Sequence, residues 1–238
     1  GVTVEDGQGT ATGDVVKLYV NGALAIEHSG STMEVNTNDR IYIGGEGDDS
    51  TSFKGEIADL TVWNTILAPD EISKLYRVDN NTLASPGVVN PYRIGTANVD
   101  GKLRAWYRFG DNPQDNPAKM FNAVTGSRFA SSNIASAVQR TNAEVGFPLI
   151  RLNNEYACSF DGVDGLFTVN QGASSPAGDL GITGDFSLSV WLKPDTQAGT
   201  YGMVFNVAGT TGAEYHILFV RQSDGKICSD ASSEASPA

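Results

Sequence analysis

Phe186, Leu188, Val190 and Leu192 alternate with Ser187, Ser189, Trp191 and Lys193, and Pro194 ends the run. A period of two sustained over that length buries one face of a strand and cannot place a helical stripe. Strand text of this kind, cut by turn signals, fills most of the chain. Val15–Val20 runs into Asn21-Gly22, a pair suited to the two positive-φ positions of a type I′ hairpin turn, and Ala23–His28 reads as the return strand. Further strands are predicted at Arg40–Ile43, Phe53–Trp63, Leu103–Phe109, Tyr156–Phe160, Leu166–Val169, Met203–Val207, Glu214–Val220 and Lys226–Cys228. In Phe53–Trp63, Ile57 and Leu60 are both apolar but of opposite parity, so a β-bulge is predicted near Ala58-Asp59. The single helix signal is Ala68-Pro69-Asp70-Glu71, with Pro and two acids in a first turn and Ile72, Leu75 and Tyr76 on one face. Residues 78–100 read as a linker, and Asp111–Glu144 as a long irregular connection. Many short strands and one small helix predict an all-β chain, an antiparallel β-sandwich of the jelly-roll kind.

The 238 residues carry 16 Lys and Arg against 28 Asp and Glu, a formal net charge of −12. That balance excludes nucleic acid and anionic membrane surfaces as partners, since both need a basic face. No apolar run approaches the roughly 20 residues that span a bilayer, so membrane insertion is not expected. No leader is visible and the first residue is not Met, which fits a mature product or part of something longer. Cys158 and Cys228 are too few for a disulfide scaffold, and whether they pair is left open. With two Cys and two His, a thiolate zinc site is not expected either.

Leu166–Val169 after Phe160-Asp161-Gly162-Val163-Asp164, with Gly184–Pro194, resembles the first half of a laminin-G-like, concanavalin A-like jelly roll. Val16–Gly22, Ile41–Gly45, Phe53–Leu60 and Leu67–Ile72 resemble the second half, and Leu103–Asp111 resembles the opening strand of such a domain. The second half therefore precedes the first. One arrangement is a tandem segment: residues 1–77 as the tail of one jelly roll, 78–100 as linker, 101–238 as the front of the next. The other is one circularly permuted domain, or pairing with a neighbouring chain. The tandem arrangement is favoured, because Leu103 opens a fresh domain after a separate linker. A half sandwich leaves apolar faces and strand edges uncovered, so further strands of the same protein or of a neighbour are expected to complete it.

The resemblance implies a calcium ion, bridged by Asp59 at the bulge and by Asp161 and Asp164 in the turn. Hard carboxylate and carbonyl oxygens suit calcium, while ordinary Asx-turn bonding is the competing account of Asp161. In the tandem arrangement, Asp59 and Asp161 would not share that ion. Asp48 and Asp49, in the acidic loop Glu46–Ser50, are candidate contacts to calcium or a sugar hydroxyl, against a plain solvated loop. Trp106 and Trp191 fall on the more polar faces of their strands and are candidate stacking surfaces for a sugar ring; burial is the competing reading. Trp63 is a third tryptophan open to the same two readings. His28 and His216 have no acid and nucleophile nearby in sequence, and neither is expected to be catalytic. A retaining glucanase needs two carboxylates about 5 Å apart on one strand face, and Glu56-Ile-Ala-Asp59 has the wrong spacing.

The expected function is a non-enzymatic binding or adhesion module that recognises glycans, outside the cell or on a virion surface. The alternative is a structural part (decoration, shell or fibre) of a virion or other large extracellular assembly.

Overall fold

The computed structural model describes residues 1–7, 13–46, 51–76, 101–110, 115, 119–124, 129–132, 138–142, 156–169, 175–196, 201–209, 214–221 and 223–229. They form two antiparallel sheets packed face to face. The first sheet runs, in spatial order, β3 (Ala23–Ser31), β2 (Asp14–Val20), β1 (Val2–Glu5), β12 (Phe186–Pro194), β5 (Lys54–Trp63), β10 (Tyr156–Asp161) and β9 (Val138–Asn142). Strand β6 (Leu103–Tyr107) pairs with the far end of β5. The second sheet runs β15 (Lys226–Cys228), β14 (Glu214–Arg221), β13 (Tyr201–Ala208), β4 (Arg40–Ile43), β11 (Phe167–Val169), β8 (Phe129–Ser132) and β7 (Lys119–Phe121). Helix α1 is Pro69–Tyr76 and helix α2 is Pro176–Leu180.

The predicted all-β sandwich is therefore the fold observed. Between the sheets lies one core, in which Val2, Val4, Ile41, Ile43, Ile57 and Leu60 meet Phe160, Phe167, Phe186, Leu188, Phe205 and Ile217. Each buried aliphatic or aromatic side chain of this kind stabilises by about 1.5–3 kcal/mol relative to exposure. Phe160 packs edge-on against both Phe53 and Phe167, with ring centroids 6.0 Å apart in each pair.

Both sheets mix the two segments. In the first, β12 sits between β1 and β5; in the second, β4 sits between β13 and β11. The tandem arrangement would seat residues 1–77 and 101–238 in separate sandwiches, whereas here they share one interior. The physical reason is edge satisfaction: each half alone exposes unpaired ladder groups and an apolar face, and the other half covers both.

Local details follow the sequence closely. Asn21 and Gly22 both have positive φ, 52° and 77°, and turn β2 into β3. The register of β5 against β12 slips between Ser189↔Thr61 and Trp191↔Ala58, which is the predicted bulge and buries both Ile57 and Leu60. Asp59 sits in it with φ 46°, a left-handed conformation that Asp tolerates better than most residues. Helix α1 lays Ile72 and Leu75 on Tyr19, Trp63, Leu67 and Leu103, on the outer face of the first sheet.

Two expectations need correction. The stretch from Asp111 to Glu144 is not all irregular: it contributes β7, β8 and β9, which are only three to five residues long and complete the sheets as flanking strands. A second helix, α2, is present, too short and Gly-containing to announce itself. The region read as linker, residues 78–100, lies outside the described residues. Cys158 and Cys228 lie one in each sheet and are not joined by a disulfide, and burial raises the Cys228 thiol.

Candidate functional site

Strand β12 turns Val190 and Leu192 towards the core, so Trp191 points to the outer face of the first sheet. There it packs on Ala58 and Ala157, whose methyl side chains leave room for an indole ring. Tyr76, the last residue of α1, stacks on it with centroids 5.9 Å apart and planes 24° from parallel. The helix thus carries a second aromatic ring to the strand tryptophan. A cavity of about 340 Å³ opens beside the pair. Trp191, Tyr76, Leu75, Asn21, Ser189 and Lys193 are among its lining residues.

Trp106 occupies the same outer face from β6. Its strand neighbours Ala105 and Tyr107 lie in the core, and it pairs with Thr61 across β5. Its indole Nε1–H donates to Asp59 Oδ1 at 3.0 Å. The Arg108 guanidinium stands 5.0 Å from the centre of the ring, a cation–π contact. Trp191 pairs opposite Ala58 on one side of β5 and Trp106 opposite Thr61 on the other, with the Asp59 bulge between them. Three residues of β5 correspond to about 10 Å along the strand. The bulge does two things: it keeps Ile57 and Leu60 in the core, and it turns the Asp59 carboxylate towards Trp106.

The structure places the remaining candidates differently. Asp161 Oδ1 accepts from the Val163 backbone N–H at 2.9 Å, the Asx-turn bond. Asp161 pairs with Lys54 at one end of β5, whereas Asp59 lies five residues further along that strand, about 17 Å. Asp59 is therefore not brought together with Asp161 and Asp164, and its carboxylate binds the Trp106 indole. These three do not converge on one ion here. Asp48 and Asp49 lie outside the described residues. Trp63 is fully buried beneath α1 and serves packing. Glu56 faces Lys193 at 3.9 Å.

Sequence reasoning found the two tryptophans but missed Tyr76, Asn21 and Arg108 as their neighbours. Tyr76 was legible only as part of the apolar helix face. The signal available was Arg108 on the same strand parity as Trp106.

Comparison with curated proteins and with solved structures gives no significant match. The family comparison does: residues 2–73, which supply β1–β5 and most of α1, match the model described as the concanavalin A-like lectin/glucanases superfamily, of laminin-G type.

Proposed function

We propose that this chain is a non-enzymatic binding or adhesion module that recognises neutral glycans on the outer face of its first sheet. The observation that carries this reading is the joint placement of Trp191, Tyr76 and Trp106 on that face, beside a cavity of about 340 Å³. A pyranose ring presents a flat patch of C–H groups that packs against an aromatic face, while its hydroxyls need donors and acceptors at the rim. Asn21, Ser189 and Lys193 supply such groups at the cavity, and Asp59 and Arg108 supply them at Trp106. The net charge of −12 disfavours sulfated or otherwise polyanionic sugars. The setting that suits such a module is outside the cell or on a virion surface.

Binding of the full chain to an array of neutral oligosaccharides tests this. Trp191→Ala is expected to weaken the best ligand at least tenfold, with Trp106→Ala weakening longer ligands more than short ones. An array with no hits, or a Trp191→Ala chain that binds like the parent, overturns the assignment.

One observation favours the structural reading. Leu24 and Ile26 are 52% and 54% exposed on β3, the edge strand of the first sheet. An exposed apolar edge is a template for pairing with another chain, as a part of a larger assembly would need.

A further inference from the structure

We propose that Glu46, Glu214 and His216 form a site for one divalent transition-metal ion on the outer face of the second sheet, with Asn206 as a fourth donor. Glu214 and His216 are two apart on β14 and share a face. Their neighbours Tyr215 and Ile217 lie in the core, so that face is the outer one. Glu46 comes from the segment after β4, and one of its oxygens stands 2.5 Å from His216 Nε2. Glu214 reaches the same nitrogen at 3.9 Å. One donor atom from each residue lies within 4.8 Å of the others, a grouping of three His, Cys, Asp or Glu side chains that is found nowhere else among the described residues.

The independent observation is Asn206. It is the cross-strand partner of His216, its side chain is fully buried, and neither its carbonyl oxygen nor its amide nitrogen has a hydrogen-bond partner. Burying an amide with no partner costs about 1–3 kcal/mol. The Glu46 oxygen beside His216 is buried and also without a hydrogen bond, while its other oxygen accepts from Thr51 Oγ1. Thr51 thus holds the carboxylate as outer groups hold metal ligands. A cation would satisfy the Glu46 oxygen and the Asn206 carbonyl together, and its two charges would balance two carboxylates.

The donor set selects the ion. Imidazole with carboxylates suits zinc or manganese rather than calcium or magnesium, which prefer oxygen alone. Bonds of about 2.0–2.2 Å in a tetrahedron place donors about 3.3 Å apart. The Glu46–His216 contact must open slightly to reach that distance. The count of Cys and His argues only against a thiolate zinc site; the carboxylates come from distant positions and become visible only in the fold.

Chelator-stripped full-length chain titrated with zinc chloride by calorimetry is expected to bind one equivalent and to gain thermal stability. Glu214→Gln, at a side chain 42% exposed, should fold normally and weaken zinc at least tenfold. His28→Gln, at the chain's only other histidine, should leave affinity unchanged. Cobalt in place of zinc should give d–d absorption without a thiolate charge-transfer band. The proposal is overturned by the absence of saturable binding, by Glu214→Gln binding like the parent, or by a thiolate band that places the ion on a cysteine.

Discussion

Asp224 closes the turn between β14 and β15 by gathering three donors. Arg221 Nε and Nη2 take one carboxylate oxygen each, at 3.0 and 2.5 Å, and the Lys226 backbone N–H reaches Oδ1 at 3.2 Å. Hydrogen bonding to Arg221 lowers the Asp224 carboxyl to about 2 from an ordinary 3.8. A carboxyl depressed in the folded state binds fewer protons than in the unfolded chain between those values. Its stabilising contribution is therefore complete above pH 3.8 and is lost as pH falls through about 2. The pair lies at the surface, where solvent screens it, so the effect belongs to the turn rather than to global stability. Carboxyl carbon shifts followed by NMR should show Asp224 titrating near 2, and Arg221→Ala should move it back towards 3.8. An Asp224 midpoint unchanged by that substitution would remove the guanidinium as the cause. Asp59 shows the opposite limit of what a residue discloses. Its place in a bulge could be read from the parity of Ile57 and Leu60, whereas its bond to the Trp106 indole depends on β6 lying beside β5.

Elements repeat this contrast. Gly44, which follows β4, has φ 89°, and a Cβ there would stand within 2.2 Å of the Phe160 ring. Phe160 is itself wedged between Phe53 and Phe167 and cannot withdraw. Gly44→Ala combines left-handed strain with overpacking, each about 1–3 kcal/mol, so denaturant unfolding should show a loss of about 2–6 kcal/mol. A loss below 0.5 kcal/mol, roughly the size of a surface change, would mean that Phe160 does not pack under this backbone. The strands that the sequence announces, such as β12 and the β2–β3 hairpin, alternate cleanly or carry Asn-Gly. Strands β1, β7, β8 and β9 do not, because they are short or polar and owe their conformation to neighbours already in place. Helix α1 was visible through Pro69 and its acids; α2, with Gly178 inside it, was not.

For the whole molecule, many strands of residues 1–76 and 101–229 are legible in the sequence, but the pairing of the two segments with each other is not. Pairing is a contact between distant segments, and a strand's alternation states which face it buries without naming the partner. The candidate aromatic face depends on that pairing, since Trp191 comes from one segment while Ala58 and Tyr76 come from the other. The Glu46–His216 contact depends on it in the same way. Val2 pairs with Leu188, and Ile57 with Leu192, across the join. Methyl NOE spectra of the full chain, recorded both on labelled protein and on an equal mixture of labelled and unlabelled protein with isotope filtering, test the shared interior directly. The account predicts Val2–Leu188 and Ile57–Leu192 cross-peaks in the labelled sample and none in the intermolecular spectrum. Their absence from the first, or their appearance in the second, would contradict a sandwich closed within one chain.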